Sequence, residues 1–130
     1  MTPSVPSRDH GRPRPDRGSV TAETAVLLPV LLIVLAAAVG VLACVAGQLR
    51  CIDAARAAAR VAARGDDPAV VRTTAERLAP PGARVTIAMT GDVVEVRVSA
   101  EVRPFGPALE GLGSVDVSGR AVASVEGAPR

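Results

Sequence analysis

Gly18-Ser19-Val20-Thr21-Ala22-Glu23 runs straight into Thr24-Ala25-Val26-Leu27-Leu28-Pro29-Val30-Leu31-Leu32-Ile33-Val34-Leu35, and no charge appears from Ala25 to Gly47. At about 1.5 Å of rise per residue, Ala25–Gly47 makes roughly 35 Å of helix, against a hydrocarbon thickness of about 30 Å. The stretch is too long for an ordinary core helix in a chain of 130 residues. It therefore predicts a membrane-spanning helix over 19–47 with one carboxylate, Glu23, just inside its first edge. Pro29 falls within the span. In a soluble helix it would cost about 3 kcal/mol, whereas membrane helices tolerate it, often with a kink.

Outward from the span the chain divides by composition. Residues 1–18 are rich in Pro, Arg, Ser and Gly without apolar periodicity, and are expected to form a disordered basic leader. Positive charge before an apolar run is the pattern of a segment kept in the cytoplasm. Residues 48–64 continue as an Ala- and Arg-rich helix. Arg56, Arg60 and Arg64 form a polar stripe, and Leu49, Ile52, Ala55, Ala59 and Ala63 a thin apolar face. Gly65 fits a helix C-terminal cap. Asp67 followed by Pro68 starts a short amphipathic helix that Pro80-Pro81-Gly82 ends.

The period then changes from helical to two. Val85, Ile87 and Met89 alternate with polar or small residues, and Thr90-Gly91-Asp92 supplies a turn. Val94, Val96, Val98, Ala100 and Val102 alternate with Glu95, Arg97, Ser99, Glu101 and Arg103. Pro104-Phe105-Gly106-Pro107 breaks the pattern, a loop follows over 108–114, and Val115 to Val125 form a third alternating run. The fold class is α+β. A long N-terminal transmembrane helix extends into a stalk, and a short helix covers a small three-stranded antiparallel sheet over 66–130. The last residues, 127–130, are expected to fray.

Composition excludes several function classes. All 15 basic residues are Arg. Four of them precede Ser19, and the rest of the chain is formally neutral, so the basic pI belongs to the leader and points to no nucleic-acid partner. One Phe and no Tyr or Trp leave no base-stacking platform. The single histidine, His10, lies in the leader, far from Cys44 and Cys51, so no metal site is expected. There is no phosphate loop and no nucleophile motif. The sequence predicts neither an enzyme nor a cofactor. Cys44 and Cys51, two helical turns apart, are too far separated for a disulfide within one chain and read as small apolar residues.

Arg17-Gly18-Ser19-Val20-Thr21-Ala22-Glu23, followed by the apolar run with Pro29, resembles the class III signal of type IV pilins. More closely it resembles the opening of TadE-like proteins, minor pilins of the Flp/Tad system. Gln48-Leu49-Arg50-Cys51-Ile52-Asp53-Ala54-Ala55-Arg56 is similar to the segment that follows the span in actinobacterial members. The resemblance implies cleavage between Gly18 and Ser19 by a prepilin peptidase on the cytoplasmic side. It also implies that Glu23 pairs with the amino terminus of a neighbouring subunit during assembly. The partners it implies are the membrane, the peptidase, other pilin subunits and the Tad assembly platform, with the C-terminal part extracytoplasmic. Ser19 stands where many pilins have Phe. Other readings of the same residues are a secretory signal peptide, a lipoprotein cut before Cys44, and a single-pass anchor whose external domain never enters a fibre.

Overall fold

The computed structural model describes residues 1–2 and 17–125. The leader expected over 1–18 lies almost wholly outside these residues, as does the expected fraying at 127–130. The first element, α1, is one unbroken helix, Arg17–Ala63, that carries Pro29 inside it. It begins two residues earlier than expected. The N–H groups of a first turn need no intrahelical acceptor, so Gly18 there costs only its own entropy, about 1 kcal/mol. At the other end Gly65 donates its N–H to Ala62 O at 3.0 Å and takes a φ of +80°, the left-handed conformation that stops a helix.

The second helix, α2, is Pro68–Leu78. The Asp67 carboxylate accepts the N–H of Ala69 at 2.7 Å, and Pro68 occupies the first helical position. Three antiparallel strands follow: β1 (Arg84–Thr90), β2 (Val93–Val102) and β3 (Val115–Ser124), in the order β1-β2-β3. The β1–β2 turn places Gly91 at its first central position with φ +59°, as a two-residue hairpin loop requires. Between β2 and β3 a short 3-10 segment spans Pro107–Leu112. The architecture is the α+β arrangement the sequence predicts.

The chain forms two compact units, Met1–Val34 and Leu35–Arg130. The second has one core. The inner sheet face supplies Val85, Val94, Val96, Val98, Ala100 and Val117, and α2 supplies Val71 and Ala75. From α1 come Cys51, Ala54, Ala55, Ala58, Ala59 and Ala62. So the short helix is not the sheet's only cover, because an alanine face of the long helix lies in the same core. That face is also rotated from the expected one: Ile52 is only half-buried and Leu49 is exposed. The reason is distance. Gly119 of β3 stands against the backbone of Cys51 and Ile52, and only small side chains fit an approach that close.

Candidate functional site

Gly18 and Ser19 lie in the first turn of α1 and Glu23 one turn further on. Positions four apart share a helix face, so the helix sets the Ser19 and Glu23 positions one above the other. Glu23 is exposed, as are Thr21 and Thr24. Beyond it Val26, Leu27, Leu28, Val30, Leu31, Leu32, Ile33 and Val34 are all exposed, Leu31 at 63%. An apolar helix uncovered on every side is unstable in water and needs lipid or another helix around it. A shallow apolar groove of about 390 Å³ runs beside Thr24, Leu27, Leu28, Leu31 and Val34. By length and composition α1 is the one helix among the described residues able to cross a bilayer. The backbone stays helical through Pro29.

In the second unit the small residues of α1 acquire a partner that sequence spacing alone does not identify. A Cβ on Gly40 would lie 2.8 Å from Phe105 Cζ, and one on Gly47 would lie 2.5 Å from Val102 Cγ2. Gly40 and Gly47 thus admit the chain's own β2 and the loop after it. The signal was the seven-residue spacing of these glycines, which reads equally well as a docking face for another helix. Gln48 donates its side-chain N–H to Ser118 O at 2.8 Å and accepts the Ser118 N–H at 3.1 Å. Its amide mimics one residue of a neighbouring strand and closes part of the β3 edge.

The outer sheet face carries a cluster of charges. Glu95 meets Arg120 at 2.7 Å and Arg97 at 3.3 Å. The hydrogen bond from Arg120 holds its carboxyl below the ordinary carboxylate range, with Arg97 acting in the same sense. Cys51 is buried beside Val117 O, 3.9 Å from its sulfur, and burial pushes its thiol up. Both cysteines are free thiols. Among the described residues no three His, Cys, Asp or Glu side chains lie close enough together to hold a metal ion.

Residues 18–60 match the profile of the family described as TadE-like protein. The chain is also similar to a protein named Apoptosis inhibitor Rv3655c from Mycobacterium tuberculosis (strain ATCC 25618 / H37Rv). The two are 35% identical over 104 residues, which is 80% of this chain and 77% of that relative. No solved structure matches significantly.

Proposed function

The chain belongs to the TadE-like family, and from that premise we propose that it is a membrane-anchored minor pilin of a Flp/Tad-type pilus or a related secretion apparatus. A prepilin peptidase cuts between Gly18 and Ser19 on the cytoplasmic side, the helix crosses the membrane over 19–47, and residues 66–130 form the small domain outside it. The protein is structural and has no catalytic role. The observation that carries this reading is the start of α1, where Glu23 sits one turn after Ser19 and directly before an apolar surface with no cover.

The physics of that start suits assembly. Cleavage would leave a cationic amino group on Ser19. A carboxylate inside the apolar span is costly, by up to about 3 kcal/mol at a bilayer centre and less near the edge. An acid with no neutralising partner in lipid gains from the amino terminus of another subunit, so the pairing favours a bundle over an isolated helix. The scissile bond lies in a first helical turn, the part of a helix that opens most readily.

N-terminal sequencing and intact mass of the membrane-extracted protein test the processing step. The expected result is a new terminus at Ser19 that appears only with the cognate peptidase. A chain left whole in its presence sinks the proposal. Given cleavage, Glu23→Ala should reduce the protein in a sheared pilus fraction while its membrane level stays constant.

The relative's name favours a second reading. That protein is called an apoptosis inhibitor, which describes an effect on another process, not a place in a fibre. On this reading the chain is a single-pass anchor whose external sheet unit binds a partner. It predicts an uncut chain that is absent from the pilus fraction whether or not Glu23 is changed.

A further inference from the structure

Gly40 lies within the charge-free run, about 10 Å along the helix before Gly47 where that run ends. Phe105 packs on Gly40. The segment after β2 therefore reaches back along α1 to a level that, in a membrane span, lies inside the apolar zone. The composition of this segment agrees. Pro104-Phe105-Gly106-Pro107-Ala108-Leu109-Glu110-Gly111-Leu112 holds one charge, and Leu109 and Leu112 are exposed at 52% and 64%. Neither leucine is in the core of the second unit. About 15 Å along α1 from Gly40 toward its C-terminal end, at Arg50, the charge-free run gives way to a charged side chain. Ala43, Ala46 and Gly47 line one side of a groove of about 730 Å³ that Arg50, Glu101, Val102 and Arg103 also border, with Arg103 Nε 3.8 Å from Glu101 Oε1. Apolar side chains near Gly40 and guanidinium groups past Gly47 follow the polarity profile of a bilayer interface.

We infer that Pro104–Leu112 is a second membrane-contacting element, which lays Phe105, Leu109 and Leu112 into the apolar edge of the bilayer beside α1, with Arg50 and Arg103 at the level of the lipid phosphates. The segment does not span. It rests in the interface as a monotopic element does, so the sheet unit is held against the membrane surface at two points. Backbone carried to that depth must keep its polar groups near water or protein. The 3-10 turns within Pro107–Leu112 pair part of that backbone internally, which an extended loop would not.

This inference rests on α1 spanning the membrane, and the experiment keeps the two apart. The chain contains no Trp and no Tyr, so a single introduced tryptophan reports its surroundings without background. The full chain is reconstituted in vesicles of phosphatidylcholine and phosphatidylglycerol, with and without bromine on the acyl chains. Leu31→Trp reports the span, Leu109→Trp and Leu112→Trp the proposed element, and Val122→Trp the exposed outer sheet face. The expected result is blue-shifted emission at positions 31, 109 and 112, with intensity lost in brominated lipid, and neither effect at position 122. Quenching at 31 alone, with 109 and 112 emitting like 122, overturns the inference and leaves the span standing. Absence of quenching at 31 overturns both. Leu109→Asp with Leu112→Asp, read through Trp at position 105 in place of Phe105, should shift that emission to the red if lipid surrounds the segment. An unchanged emission would mean that only protein surrounds it.

Discussion

Gly119 is the residue on which the contact between α1 and the sheet turns. It pairs with Val98 of β2 on the inner face, and an added Cβ would overlap the carbonyl of Cys51 and the amide nitrogen of Ile52. These are backbone atoms of a helix and cannot rotate away as a side chain would. Gly119→Ala should therefore destabilise the second unit by about 3 kcal/mol, the upper end of the usual cost of overpacking. Hydrogen exchange across β3 in the full chain is the measurement, with faster exchange expected at its amides. Gly111→Ala, with nothing within 4 Å of its Cβ position, should leave exchange unchanged. The neighbouring Cys51 carries the same packing in a chemical form. Its burial and raised thiol leave little thiolate to react. Cys51 should resist alkylation until the unit unfolds, which also bars it from an interchain bridge in the folded protein.

At the scale of elements, the sheet's outer face is held by charges that the register brings together. Arg97 of β2 lies directly opposite Arg120 of β3, a like-charged pairing that weakens a sheet when nothing intervenes. Glu95 touches both guanidinium groups and offsets their repulsion. Its carboxyl is depressed chiefly by the Arg120 hydrogen bond, so the folded state binds its proton less readily than the unfolded chain does. The associated stability is present above the unfolded carboxylate value and is lost as pH falls through the lower, folded one. Stability should drop on acidification through that window, and Glu95→Gln should flatten the drop while lowering stability at neutral pH, both read from denaturation midpoints across pH. The strands themselves were legible in the sequence, because alternating Val94, Val96, Val98 and Ala100 against Glu95, Arg97 and Ser99 admits one buried face. The Asp67-Pro68 start of α2 and the Gly65 stop of α1 were legible for similar local reasons. The cluster around Glu95 was not. Which arginine faces which carboxylate depends on register between strands separated by a loop, and no local pattern fixes that. The inner face of α1 was read in part: Ala55 and Ala59 are buried as expected. Hydrophobicity also favours Leu49 and Ile52, but the nearness of Gly119 to the helix backbone brings in Cys51, Ala54 and Ala58 by size.

For the whole molecule, the consequence is that the long helix is both the candidate span and part of the only core among the described residues. Cys51, Ala54, Ala55, Ala58, Ala59 and Ala62 belong to the same buried cluster as Val94, Val96 and Val98. A chain beginning at Gly65 keeps α2 and all three strands, yet loses the helix over the inner face. Burial of each valine contributes roughly 1.5–3 kcal/mol, and a small domain has only about 5–15 kcal/mol of net stability. Exposing several at once removes the margin. A chain of residues 65–130 should show no cooperative unfolding transition and no protected strand amides, and should bind a dye specific for exposed apolar surface. A chain of residues 35–130, which keeps the whole compact unit, should unfold cooperatively in detergent. A sharp transition in 65–130 would mean that α2 and the sheet suffice alone and that the alanine face of α1 is only an added contact. If both expectations hold, the sheet unit cannot be separated from the helix that carries it. Any pull on that helix along its axis would then act on the core through Gln48 and Cys51, with no flexible linker to absorb it.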